Sequence, residues 1–188
     1  MKLKIAIVDS GINAEHPHVG GIAGGVSLVS DDYVDHVGHG TAVAGAIREK
    51  APDAELYAVK IFDRRLSTKF HVLQRALEWC DENRMDVINL SVGTTKPLPE
   101  IAPIVVSVSG FIAVQPDPAC PRDAYFYREG TFYASPHPRP IPGVPVERNL
   151  QGASFAVANM TGFVARALAQ TGRDSIRSVL IAQAANNL

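Results

Sequence analysis

Cysteine is scarce in this chain of 188 residues: only Cys80 and Cys120 occur. Two cysteines cannot build a disulfide scaffold, and with no Cys-x-x-Cys pair they do not make a metal knuckle. Two reduced thiols in a reducing compartment are the expectation. Long hydrophobic runs are missing too. No stretch approaches the about 18 apolar residues of a membrane helix, so no membrane partner is expected. An excess of one charge is also lacking. The formal net charge is −1, which leaves no basic surplus to neutralise phosphates and argues against a nucleic-acid partner. The N-terminal apolar run Ile5–Val8 is too short for the core of a signal peptide, and Asp9 ends it. A cytoplasmic address without leader or pro-segment is therefore expected.

What is present suffices for a packed core. The hydrophobic fraction is 46%, enough for one domain over residues 1–188 without metal or disulfide. Apolar runs at 4–8, 54–62, 86–90 and 110–114 read as strands. Between and after them, 41–49, 68–83, 154–171 and 174–185 read as helices, with Phe70, Leu73, Leu77 and Cys80 as the stripe of the second. Strands alternating with helices predict an α/β fold: a doubly wound, mostly parallel sheet with helices on both faces. Of the 13 prolines, 11 lie between Pro97 and Pro145. That segment is read as extended loops around one strand, because proline interrupts helices. In such folds ligands bind at the carboxyl ends of the strands.

Three short motifs carry chemistry. Val8-Asp9-Ser10-Gly11 places an acid directly after a strand, where an ordinary turn cap would also stand. Gly38-His39-Gly40-Thr41 places a histidine at a helix start between two glycines. The positive end of that helix is expected to disfavour imidazolium and keep His39 a neutral base near pH 7. Gly152-Ala153-Ser154-Phe155-Ala156 opens a helix rich in small residues. Ser154 would serve there as a simple cap, or as a nucleophile whose own N–H helps to bind an oxyanion. A serine needs a base to become nucleophilic, and the base needs an acid to hold its tautomer. Together the motifs supply all three in the order acid, base, nucleophile.

These motifs resemble the subtilisin-like serine proteases. Asp86-Val-Ile-Asn-Leu-Ser91-Val92-Gly93 is similar to that family's strand leading to the substrate edge. The resemblance implies an Asp9–His39–Ser154 triad at the carboxyl edge of the sheet. It also implies an extended peptide or protein substrate lying between Ser91–Val92–Gly93 and Arg64–Arg65–Leu66. Acidic substrate residues would suit Arg64 and Arg65 if that edge binds them. The serine motif departs from the family: Ala153 replaces a threonine, and Ala158 and Asn159 fall where proline and histidine are common. The oxyanion asparagine is also missing. By position Asp117 takes its place, although a turn between Pro116 and Pro118 explains that residue equally well. Asp117 could donate only if protonated, and Gln115 is the other candidate donor. No cofactor is expected, and no metal: Asp31-Asp32 lacks the spacing of a calcium loop. His16, His18, His36 and His39 are not arranged on one helix face as zinc ligands. The aromatic group Tyr125, Phe126, Tyr127, Phe132 and Tyr133 is read as core. The leading function is a serine endopeptidase, with the trimming of a precursor peptide as the expected role. A degenerate module that only binds peptides is the alternative, and an esterase or peptide ligase a third.

Overall fold

The computed structural model describes residues 2–92, 110, 112–171 and 175–185. β1 (Lys4–Asp9) is the centre of the larger sheet. Its residues Ile5, Ala6, Ile7 and Val8 are all fully buried, as expected for a strand covered on both faces. β2 (Gly24–Ser27), β3 (Glu55–Lys60) and β4 (Val87–Leu90) complete that sheet in the order β2-β3-β1-β4. Every pairing in it is parallel.

Side chains alternate along β1, so its residues divide between two cores. Ile5 and Ile7 join Val43, Ala44 and Ile47 of α1 (His39–Lys50) and Phe155 and Ala158 of α3 (Ala153–Thr171). Ala6 and Val8 join Val72, Leu73, Ala76 and Cys80 of α2 (Phe70–Glu82) on the other face. Helices therefore cover both faces, and the α/β expectation holds. Within α2 the expected stripe shifts: Phe70 is exposed, while Val72 and Ala76 are buried beside Leu73, Leu77 and Cys80.

Between Pro97 and Pro145 the structure differs from the expected loops around one strand. The described part holds a second sheet of β5 (Val114–Pro116), β6 (Tyr125–Arg128) and β7 (Thr131–Ala134), in the order β5-β7-β6. β6 and β7 form an antiparallel hairpin turning at Glu129 and Gly130, both at positive φ. Prolines miss this hairpin, which leaves its ladder intact. The expected strand at 110–114 begins only at Val114, and Phe111 lies outside the described residues. Tyr125, Phe132 and Ala134 pack on Met160, Phe163, Val164 and Ala167 of α3, so the aromatic group is core in large part. α4 (Ile176–Ala182) closes this cluster with Leu180; Asp174, the expected start of that helix, is outside the described residues.

α3 thus lies between α1 and the second sheet, and close approach requires small residues. A Cβ on Gly162 would meet Cβ of Lys50 at 2.7 Å. Polar ties fix the helix along its axis. Asn89 of β4 donates to Thr161 Oγ1 at 2.9 Å, and Asn159 donates to the carbonyls of Ser135 and His137 at 2.9 and 3.0 Å. At the opposite end of the sheet from Asp9, Arg48 donates to four carbonyls: Val19, Gly21, Pro52 and Ala54. One guanidinium thereby fastens two turns together. Among the described residues no helix is long and apolar enough to cross a membrane.

Candidate active site

Asp9 ends β1 at the carboxyl edge and is fully buried. Its Oδ1 accepts from the Ser10 N–H at 2.7 Å. Both of its oxygens face Nδ1 of His39, at 2.8 and 3.0 Å. A carboxylate only accepts, so Nδ1 carries the proton and Nε2 presents its lone pair. His39 is the first residue of α1, and its side chain is 16% exposed.

Glycine makes this contact reachable. A Cβ on Gly40 would overlap the Gly11 carbonyl oxygen and lie 3.2 Å from Cβ of Asp9. Without a side chain at 40 the helix start can press against the end of β1, and the bare Gly11 lets the backbone of Tyr33 and Val34 pass beside it. Gly38 precedes the helix at φ 90° and offers no side-chain cap. The cap comes from Asp35 instead. Its carboxylate accepts from the N–H groups of Val37, Gly38 and Thr41 at 2.9, 2.8 and 2.8 Å. It also accepts from the hydroxyls of Ser10 and Thr41 at 2.9 and 2.7 Å.

The electrostatics correct one expectation. Burial pushes the His39 pKa down, but the hydrogen bond and charge of Asp9, with the charge of Asp35, outweigh it and raise the pKa above 6.5. The two carboxylates therefore prevail over burial, and the shift runs opposite to the one expected from the helix terminus alone. Asp35 moves the other way. Burial raises its pKa, yet the Thr41, Gly38 and Val37 hydrogen bonds bring it below 3.8.

Ser154 is the second residue of α3 and is half-buried. The ring of the next residue, Phe155, lies 5.5 Å from the His39 ring, centroid to centroid. The structure thus brings the start of the serine helix to the histidine. The Ser154 hydroxyl has no hydrogen bond to another described residue.

The expected substrate edges leave the sheet on either side of β1, because β3 and β4 flank it. Arg64, Arg65 and Leu66 follow β3 and are exposed, whereas Ser91 and Val92 follow β4 and are half-buried. Gly93 lies outside the described residues. Asp117 does not suit an oxyanion donor. Its Oδ1 accepts from the Ala119 N–H at 2.9 Å, and its Oδ2 pairs with Arg128 at 3.1 Å. A salt-bridged acceptor has no proton to give, so the turn reading of Asp117 prevails. Gln115 is exposed on β5.

Sequence reasoning missed Asp35 and Lys60. Lys60 is fully buried at the end of β3, in register with Asp9, and donates to the Val34 carbonyl at 2.9 Å. Asp35 was legible as a cap-forming residue shortly before a helix start. A lysine inside an apolar strand gave no comparable signal. Among the described residues no three His, Cys, Asp or Glu side chains gather as metal ligands. Cys80 and Cys120 are free and buried. Burial pushes the Cys80 thiol up to about 12 and the Cys120 thiol up to about 11.

The minor extracellular protease Epr of Bacillus subtilis (strain 168) is 45% identical over 105 residues, covering 50% of this chain and 16% of that protein. Subtilisin E of the same organism is 40% identical over 103 residues, covering 48% of this chain and 27% of that protein. The chain thus spans about a quarter or less of the length of these curated relatives. A cold-adapted subtilisin-like serine proteinase of known structure superposes with a TM-score of 0.67 at 16% identity, over 95% of this chain and 79% of that one. That likeness bears on the fold alone. The profile of the Subtilase family matches residues 1–117, a span that holds Asp9 and His39 and ends before Ser154. The chain belongs to the subtilase family.

Proposed function

We propose that this chain is a serine endopeptidase core in which Ser154 attacks, His39 is the general base and Asp9 orients and stabilises the imidazole. The observation that carries the reading is the buried Asp9 carboxylate on Nδ1 of His39, with Phe155 of the serine helix packed on the same ring. Nε2 takes the Ser154 proton as Oγ bonds to the scissile carbonyl carbon. The imidazolium formed is held by Asp9, and returns the proton to the leaving amine as the acyl-enzyme forms. Water then repeats the sequence and releases the acid. Negative charge on the carbonyl oxygen develops near the start of α3, whose first N–H groups lack intrahelical partners. An extended peptide between residues 64–66 and 91–93 would place its carbonyls along this edge, and the exposed Arg64 and Arg65 would favour acidic side chains.

The salt bridge of Asp117 with Arg128 favours a second reading, a peptide-binding module with a poor oxyanion hole. A fluorophosphonate probe read by intact mass separates the two. A single adduct that disappears in Ser154→Ala is expected. No adduct across the pH range, with retained peptide binding, would overturn the proposal in favour of the binding module.

A further inference from the structure

We propose that Asp35 is a positioning residue for His39: its carboxylate ties the end of β1 to the first turn of α1 and so sets the Asp9–His39 contact. The inference rests on the reading of His39 as the base. Five hydrogen bonds converge on this one side chain, from Ser10, Val37, Gly38 and twice from Thr41. Two of them reach across the site. The Ser10 hydroxyl donates to Asp35 and accepts from the Gly40 N–H at 3.0 Å. The Ser10 N–H holds Asp9. The Thr41 hydroxyl donates to Asp35 and accepts from the Asn13 N–H at 3.0 Å. Both residues on the C-terminal side of His39 are thereby bound, directly or through Ser10, to one carboxylate. The loop that carries Asp35 is itself anchored, because the buried Lys60 holds the Val34 carbonyl.

The same carboxylate adds negative charge near the imidazole. Asp9 from β1 and Asp35 from the loop are the two charged groups that act on His39, and both favour its protonated form. From α3 the facing residue is Phe155, which is uncharged. A base fixed in place and strengthened by a neighbouring carboxylate suits proton abstraction near neutral pH.

Two variants test this. Asp35→Asn removes the charge and turns an amide N–H₂ toward bound donors. Ser10→Ala keeps the charge and cuts the link to β1. NMR titration of the His39 ring and the rate of fluorophosphonate labelling are read beside the melting temperature. For Asp35→Asn the His39 titration is expected to move to lower pH, with labelling slower by about tenfold or more. For Ser10→Ala labelling slows while the titration moves less. Folded Asp35→Asn protein with titration and labelling both unchanged would overturn the proposal. If that variant does not fold, unchanged labelling of Ser10→Ala would overturn it equally. A wild-type chain that is never labelled would refute the peptidase reading, yet the His39 titration would still decide the role of Asp35.

Discussion

Asp9→Asn is the sharpest perturbation of the proposed site. Oδ1 of Asp9 serves both the Ser10 N–H, at 2.7 Å, and Nδ1 of His39, at 2.8 Å, while Oδ2 lies 3.0 Å from the same nitrogen. Asparagine would keep its carbonyl on Ser10 and set its N–H₂ where Oδ2 stood. That group would face the Nδ1–H at hydrogen-bond distance, donor against donor. The imidazole escapes by moving its proton to Nε2, which removes the lone pair Ser154 needs. The same change in a serine protease triad costs about 10⁴ in kcat through the wrong tautomer, or about 5.4 kcal/mol of barrier at about 1.36 kcal/mol per tenfold. The charge effect adds a second signature. Asp9 raises the His39 pKa, so its loss moves the acid limb of the rate profile to lower pH while the plateau falls. The assay is the second-order rate of fluorophosphonate labelling from pH 5 to 9, with Ser154→Ala as background and circular dichroism as the folding control. Labelling within tenfold of wild type near pH 8, in folded protein, would refute the assignment of Asp9.

Three further outcomes follow from other parts of the molecule. Replacing Arg48 by Met strips hydrogen bonds from four carbonyls, which at about 0.5–1.5 kcal/mol each net is expected to lower the melting temperature by about 4–24 °C; a shift below 2 °C in calorimetry would contradict the role given to that guanidinium. Native Cys80 and Cys120, with pKa values of about 12 and 11, should resist a thiol reagent at pH 8 and react only in denaturant; rapid native labelling by Ellman's reagent would disprove their burial. Asp35 has a pKa held below 3.8, so the stability it contributes is present above that value and is lost as pH falls through its lower folded value. Denaturant titrations from pH 6 to 2 should therefore show a shallower acid loss in Asp35→Asn than in wild type, and parallel curves would argue against it.

Much of the parallel sheet and most of its helices were legible because their signals are local. Ile5–Val8 is an apolar run bounded by Asp9 and Gly11, and a strand buried on both faces reads that way. The Gly-His-Gly-Thr motif is equally local: Gly40 is required by the carbonyl it approaches, and His39 by the carboxylate beyond. β2 was missed because Gly24-Gly25-Val26-Ser27 shows no hydrophobic alternation and only one β-branched residue, Val26; its pairing with β3 makes it a strand. The β5-β7-β6 sheet was missed because a count of prolines hid the proline-free hairpin at 125–134, whose aromatics were read only as core. Asp117 was given the wrong neighbour for a similar reason. Its partner Arg128 stands across the second sheet, a contact that no spacing within Gln115–Pro118 reveals. The direction of the His39 shift was misjudged because the helix terminus was weighed alone, whereas Asp9, already assigned as its partner, is the main cause that raises it, and the charge of Asp35 adds to it.

The packing of α3 between α1 and the second sheet bears on when the molecule becomes reactive. Asp9 and His39 come from the first units of the chain and meet through contacts of moderate sequence separation. The helix that carries Ser154 reaches them only across a long loop closure, and its other face is covered by the β6–β7 hairpin. On the proposed triad, the Asp9–His39 contact can form without α3, and the serine would be an ordinary alcohol until that helix docks. On that proposal activated-serine chemistry would report completed folding, and a partly folded chain would carry the acid and the base without the nucleophile.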